Sequence, residues 1–124
     1  GLESHDDVCA EICDRTGFDL VAVDYRLAPE HVHPAAFEDA RAALGAACRE
    51  FGKPVVVVGD SAGGTLAAAV VQEARGRLKN IAGQVLIYPA LGGDRTKGSY
   101  VDHAEAPMLT LADVLYYDDL RAGE

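Results

Sequence analysis

The sequence predicts an α/β fold: a parallel sheet segment of three strands with flanking helices. Three observations carry this. The apolar runs Leu20-Val21-Ala22-Val23, Val55-Val56-Val57-Val58 and Val85-Leu86-Ile87 have the length of strands, not helices. Between them lie longer stretches whose apolar residues recur at helical spacing. The second run leads through Gly59-Asp60-Ser61-Ala62-Gly63-Gly64 into Thr65-Leu66-Ala67-Ala68-Ala69-Val70-Val71, a strand, a sharp turn and a helix former. The order is helix, strand, helix, strand, helix, strand, loop, helix, which suits a parallel sheet with right-handed crossovers.

In chain order, Ser4 is read as the cap of the first helix, with Asp6 and Asp7 in its positive first turn. Val8, Cys9, Ile12, Cys13 and Thr16 form one face, and Gly17 ends the helix. Phe18 to Asp24 is the first strand. The loop Tyr25 to His31 comes next, in which Arg26 and Glu30 are expected to form an ion pair that fixes the loop. His31 and His33 read as an exposed pair. Pro34 suits the first turn of the second helix, whose inner face is Phe37, Ala40, Leu44, Ala47, Cys48 and Phe51. Glu38, Asp39, Arg49 and Glu50 are expected to face water, and Gly52 and Pro54 stop the helix.

The four valines are expected to be buried on both faces. Gln84 to Tyr88 is the third strand, ended by Pro89. Leu91 to Pro107 has no period and reads as a long loop of the kind that often carries function. Thr110 caps a last helix, Leu111 to Leu120, with core packing expected for Tyr116 and Tyr117.

The chain has 124 residues and a net charge of −9. An acidic chain without a basic patch argues against nucleic acid and anionic membrane surfaces as partners. No apolar run approaches the ~20 residues of a membrane span. Three cysteines, Cys9, Cys13 and Cys48, cannot all pair and read as reduced residues of a cytoplasmic protein. Cys9 and Cys13 lie one turn apart but lack further ligands at metal spacing. Neither a metal nor a cofactor is expected.

The chemistry centres on Gly59-x-Ser61-x-Gly63. A bare G-x-S-x-G arises by chance in roughly one chain in 25 of this length, so its context carries the weight. Here the serine sits between a β-branched strand and an Ala-rich helix, as a nucleophile elbow requires. Gly59 and Gly63 relieve crowding around Ser61, with Asp60 and Gly64 completing the elbow. The helix directs its unpaired N–H groups at the apex, and the Ala62 N–H is the candidate oxyanion donor. The plainer alternative makes Ser61 only a helix cap.

Three stretches resemble the hormone-sensitive-lipase-like branch of the α/β-hydrolases, the family IV esterases. They are Asp24-Tyr25-Arg26-Leu27-Ala28-Pro29-Glu30-His31 with Pro34 to Ala40, the Gly59 to Gly64 motif, and Val85-Leu86-Ile87-Tyr88-Pro89. The resemblance runs over nearly the whole chain. It implies an eight-stranded sheet, a Ser-Asp-His triad in that chain order, and a His-Gly-Gly-Gly oxyanion loop just before the first helix. Ser61 matches the nucleophile. That loop and the triad Asp and His have no counterpart here, and His103 does not lie where the family has its histidine. Val32-His33 and Gly92-Gly93 also depart from the usual pattern. The resemblance therefore implies a partial α/β-hydrolase domain over residues 1–124, a middle portion of a longer carboxylesterase, inactive alone. Its partner would be a small-molecule ester, and a homodimer is one assembly open to the parent. A non-catalytic receptor, as in the gibberellin receptors that resemble this family, and a deacetylase or amidase are the alternatives.

Overall fold

The computed structural model describes residues 1–123. Its elements are α1 (Leu2–Thr16), α2 (Ala35–Glu50), β1 (Val55–Asp60), α3 (Ser61–Ala74), β2 (Ile81–Ile87), α4 (Ser99–Asp102) and α5 (Leu111–Ala122). β1 and β2 pair in parallel, with Val57 opposite Gln84, Gly59 opposite Leu86 and Asp60 opposite Ile87. A parallel pair needs a crossover, and α3 supplies it. Asn80 fastens the start of the ladder. Its carbonyl accepts from the Val55 N–H at 2.8 Å, while its side-chain amide donates to the Cys48 and Lys53 carbonyls at 2.9 and 3.1 Å.

The core lies on one side of this sheet. Leu44 and Cys48 of α2 meet Val70 and Ala74 of α3, with Phe37, Ala40, Val55, Val57, Leu78 and Ile81 packed around them. The apolar stripes of the two helices and alternate residues of both strands thus converge. The other sheet face is open among the described residues: Val56, Val58 and Val85 are each about half exposed.

Three expectations are corrected. The valine run is covered on one face, because α2 and α3 both lie on the Val55 and Val57 side. The sheet also has two strands, not three. Phe18 to Asp24 joins no ladder among the described residues, and Phe18, Val21 and Val23 are exposed. Its β-branched pattern is strand-like, but a strand is completed only by a partner for its N–H and C=O groups. Tyr116 and Tyr117 are likewise exposed, not core, their ring centroids 5.9 Å apart.

Element ends shift modestly. α1 begins before Ser4, so Ser4 lies in its first turn and donates from Oγ to the Gly1 carbonyl at 2.9 Å. Pro34 immediately precedes α2. β2 begins at Ile81, ahead of Gln84. The loop from Leu91 to Pro107 contains the single turn α4. Gly17 ends α1 with φ 70°, as expected of a left-handed cap. Thr110 caps α5 through a reciprocal arrangement with Asp113.

Candidate active site

The site forms where the carboxyl end of β1 turns into α3. Asp60 ends the strand with φ −113° and ψ 147°, and Ser61 opens the helix at φ 49°. A positive φ at a non-glycine residue costs of order 1–3 kcal/mol and persists only where the surroundings over-determine it. Those surroundings can be named. Gly59 passes so close to the first turn of α3 that a Cβ there would lie 2.3 Å from the Gly63 carbonyl oxygen. Gly64 is also confined: a Cβ would meet the Gly59 oxygen at 3.0 Å and Pro89 at 3.1 Å. Thr65 exchanges two hydrogen bonds with Ala90, donating to its oxygen at 2.9 Å and accepting from its N–H at 3.1 Å. The strand, the helix and the segment after β2 are thereby locked around one turn.

Gly63 departs from expectation. The nearest atom to a Cβ there is Asp60 Oδ1 at 3.9 Å, an ordinary contact. The glycines that the turn sterically requires are Gly59 and Gly64, because these two face the backbone of the neighbouring elements.

Ser61 and Ala62 are exposed at the mouth of this turn. The helix is preceded by Asp60, whose side chain makes no capping bond. Ser61 is therefore the first helical residue, not its cap, and its Oγ has no hydrogen-bond partner among the described residues. The Ala62 N–H belongs to the first helical turn, where backbone donors have no intrahelical acceptor. The turn thus presents a free hydroxyl and an adjacent N–H at the positive end of a 14-residue helix.

The Asp60 carboxylate points elsewhere. It accepts from His5 Nε2 at 3.0 and 3.1 Å, while His5 Nδ1 lies 2.8 Å from Ser4 Oγ. Both ring nitrogens are thus engaged, so His5 is not free to serve Ser61 as a base. Burial, and secondarily the Asp60 charge, push the Tyr25 phenol above its ordinary value. In the sequence His5 reads only as part of a helix start. Its partner is 55 residues away, and no local spacing reports such a pairing.

Arg26 does fix the loop after residue 24, but through Asp39 and not Glu30. Its Nε and Nη2 donate to the two Asp39 oxygens at 2.8 Å each, and its backbone N–H adds a third bond at 2.9 Å. The Arg26 hydrogen bonds, side chain first and then backbone, hold the Asp39 carboxyl down at about 2. Asp39, expected to face water, is the anchor, and Arg26 Nη2 reaches α2 a second time at the Ala35 carbonyl, 3.4 Å away. His31, His33 and His103 are exposed, and none bonds Ser61. Among the described residues no cluster of three or more His, Cys, Asp or Glu could hold a metal. Two shallow concavities lie along α1, both lined by Asp7 and Glu11 and neither by Ser61.

Comparisons with known proteins bear on the family of the whole chain. The model of the alpha/beta hydrolase fold family matches residues 1–124. The chain belongs to the α/β-hydrolase fold family. Esterase LipI of Mycobacterium tuberculosis is 39% identical over 130 residues, covering 99% of this chain and 41% of that protein. Rabbit (Oryctolagus cuniculus) arylacetamide deacetylase is 39% identical over 124 residues, covering 88% of this chain and 30% of that protein. The structure of a hyperthermophilic esterase from Pyrobaculum calidifontis superposes with a TM-score of 0.89 at 37% identity, covering 97% of this chain and 43% of that one. The chain spans about two fifths of the length of LipI and of the Pyrobaculum enzyme. The family IV resemblance read from the motifs is borne out, as is the α/β-hydrolase fold.

Proposed function

We propose that the protein carrying this chain is a serine carboxylesterase of small, short-acyl esters, with Ser61 as its nucleophile. The observation that carries the reading is the Ser61 backbone at φ 49° on the first position of α3, its hydroxyl free of any capping role. Esterases and lipases among the relatives support the reaction class.

In this reading Ser61 Oγ attacks the acyl carbon while a histidine takes the hydroxyl proton, since an unaided serine is a weak nucleophile. The carbonyl oxygen becomes an oxyanion facing the Ala62 N–H. Collapse expels the alcohol, which receives the proton, and water then hydrolyses the acyl-serine by the reverse sequence. Residues 1–124 supply the nucleophile and one oxyanion donor; the triad Asp and His and the glycine-loop donors come from the remainder of a larger hydrolase domain. Asp60 is not the triad acid, because its carboxylate is committed to His5. No helix of the described residues is long and apolar enough to cross a membrane. Three free thiols support a reducing, cytoplasmic setting.

Fluorophosphonate labelling of the whole protein tests the assignment. The reagent should bond Ser61 with loss of fluoride, and Ser61→Ala should abolish both labelling and aryl butyrate hydrolysis. Labelling that survives this substitution sinks the assignment. Labelling without turnover would favour a binding protein of the same fold. The deacetylase among the relatives makes the acyl bond itself worth testing, by parallel kinetics on an aryl acetate, an aryl butyrate and an acetylated sugar.

A further inference from the structure

We propose that His5 is a positioning residue for Ser61: its hydrogen bond to Asp60 clamps the first turn of α1 onto the nucleophile elbow and holds the strained serine backbone in its reactive conformation. The inference rests on the reading of Ser61 as nucleophile and deepens it.

The geometry is specific. His5 Nε2 sits 3.0 Å from Asp60 Oδ1 and 3.1 Å from Oδ2, so one ring nitrogen spans both carboxylate oxygens. A carboxylate offers only acceptors, so Nε2 carries the hydrogen. Nδ1 lies 2.8 Å from Ser4 Oγ, which orients the ring from its other side. Asp60 is the residue bonded directly to Ser61 and the last residue of β1. Holding its side chain limits rotation of the peptide that sets Ser61 φ.

Other restraints on the turn act from behind it. Gly59 abuts Gly63, and Thr65 is bonded to Ala90. They fix α3 against β1 and the segment after β2, and the ladder holds the Asp60 backbone opposite Ile87, but none of them holds the Asp60 side chain. His5 holds that side chain and so links α1 to the elbow. Its ring is 44% exposed and the Asp60 side chain 35%, so the clamp is a geometric device and not a buried structural ion pair. Neither group touches a reacting atom. Its effect is on placement, where a displacement of about 1 Å can cost on the order of 100-fold in rate.

The test uses the whole protein with an aryl butyrate and the fluorophosphonate probe. His5→Ala is expected to lower kcat ~10–100-fold at little-changed KM, and to slow labelling of Ser61 in proportion. His5→Gln, whose amide nitrogen can still donate to Asp60, should recover most of that loss. The His5→Ala, Asp60→Ala double variant should be little worse than the poorer single one, as expected of two residues acting as one unit. Should His5→Ala fail to fold, Asp60→Asn carries the test against Asp60→Ala. The amide oxygen of Asn still accepts from His5, so Asp60→Asn should retain most activity and Asp60→Ala should not.

The proposal is overturned if His5→Ala keeps kcat within about twofold, including where its Tm falls. It is also overturned if glutamine gives no rescue, or if Asp60→Asn and Asp60→Ala behave alike. These outcomes are separable from failure of the Ser61 assignment. In that case Ser61→Ala would still label; if only the clamp is wrong, Ser61→Ala is dead and His5→Ala is normal.

Discussion

Two apolar runs in this chain both read as strands and have different fates. Val55 to Val58 pairs along its length with β2 and ends in a turn that backbone contacts hold shut. Phe18 to Asp24 carries Val21 and Val23 in its middle, yet joins no ladder among the described residues, and the loop after it is held by a partly exposed charged pair. The first run is fixed by sterics, which solvent cannot screen. The second is fixed by electrostatics, which titrate. A strand pattern therefore states what a segment can pair with, while the contacts at its carboxyl end decide how rigidly it presents the next turn or loop.

The largest expected effect is at the steric end. Gly59→Ala would place a Cβ 2.3 Å from the Gly63 carbonyl oxygen and 2.4 Å from its carbon. Both atoms are backbone and cannot rotate away, so β1 and α3 must separate. We expect a loss of more than about 3 kcal/mol, the upper range for overpacking, together with loss of Ser61 labelling. Urea unfolding of the whole protein measures it. A loss under about 1 kcal/mol would show that the turn is not sterically closed.

At the electrostatic end the expectation is a pH window. Asp39 has a carboxyl held at about 2 by Arg26, against about 3.9 in an unfolded chain. A depressed folded value means that the contribution is complete above about 3.9 and is lost as pH falls toward 2. The Arg26 N–H bonded to Asp39 should thus lose hydrogen-exchange protection, relative to its intrinsic rate, between pH 5 and pH 2.5. Asp39→Asn should already be less protected at pH 5 and flatter across the window. Equal profiles for the two proteins would remove Asp39 as the anchor.

The same contrast separates the legible parts of the sequence from the rest. The elbow was legible because strand, turn and helix are contiguous and each has a local signature: β-branching, glycine, alanine. The α5 cap was legible for the same reason, with Thr110 and Asp113 three residues apart. The parts that escaped depend on contacts between distant segments. Asp39 looks solvent-facing in the sequence because Arg26 lies 13 residues earlier on a different element, and nearby Glu30 is an equally good partner by charge. His5 and Asp60 share no local signal. The open second face of the valine run results from where α2 and α3 lie, which four consecutive valines cannot report.

The smallest expected effect sharpens the comparison inside the motif itself. In Gly59-x-Ser61-x-Gly63 the two outer glycines look equivalent, and nothing in the motif ranks them. In the structure they differ: a Cβ at Gly63 has only Asp60 Oδ1, at 3.9 Å, within reach, and the residue lies in the first turn of α3 without a left-handed φ. Alanine there should be tolerated and should add helix propensity, worth up to about 1 kcal/mol in a helix interior and less in a first turn. Gly63→Ala should therefore unfold within about 1 kcal/mol of the wild type, on the stable side, where Gly59→Ala collapses. A Gly63→Ala protein as unstable as Gly59→Ala would mean that the elbow is closed from both sides. One that is stable but has a raised KM would instead assign Gly63 to the approach of the substrate, a constraint that acts only when the acyl group is bound.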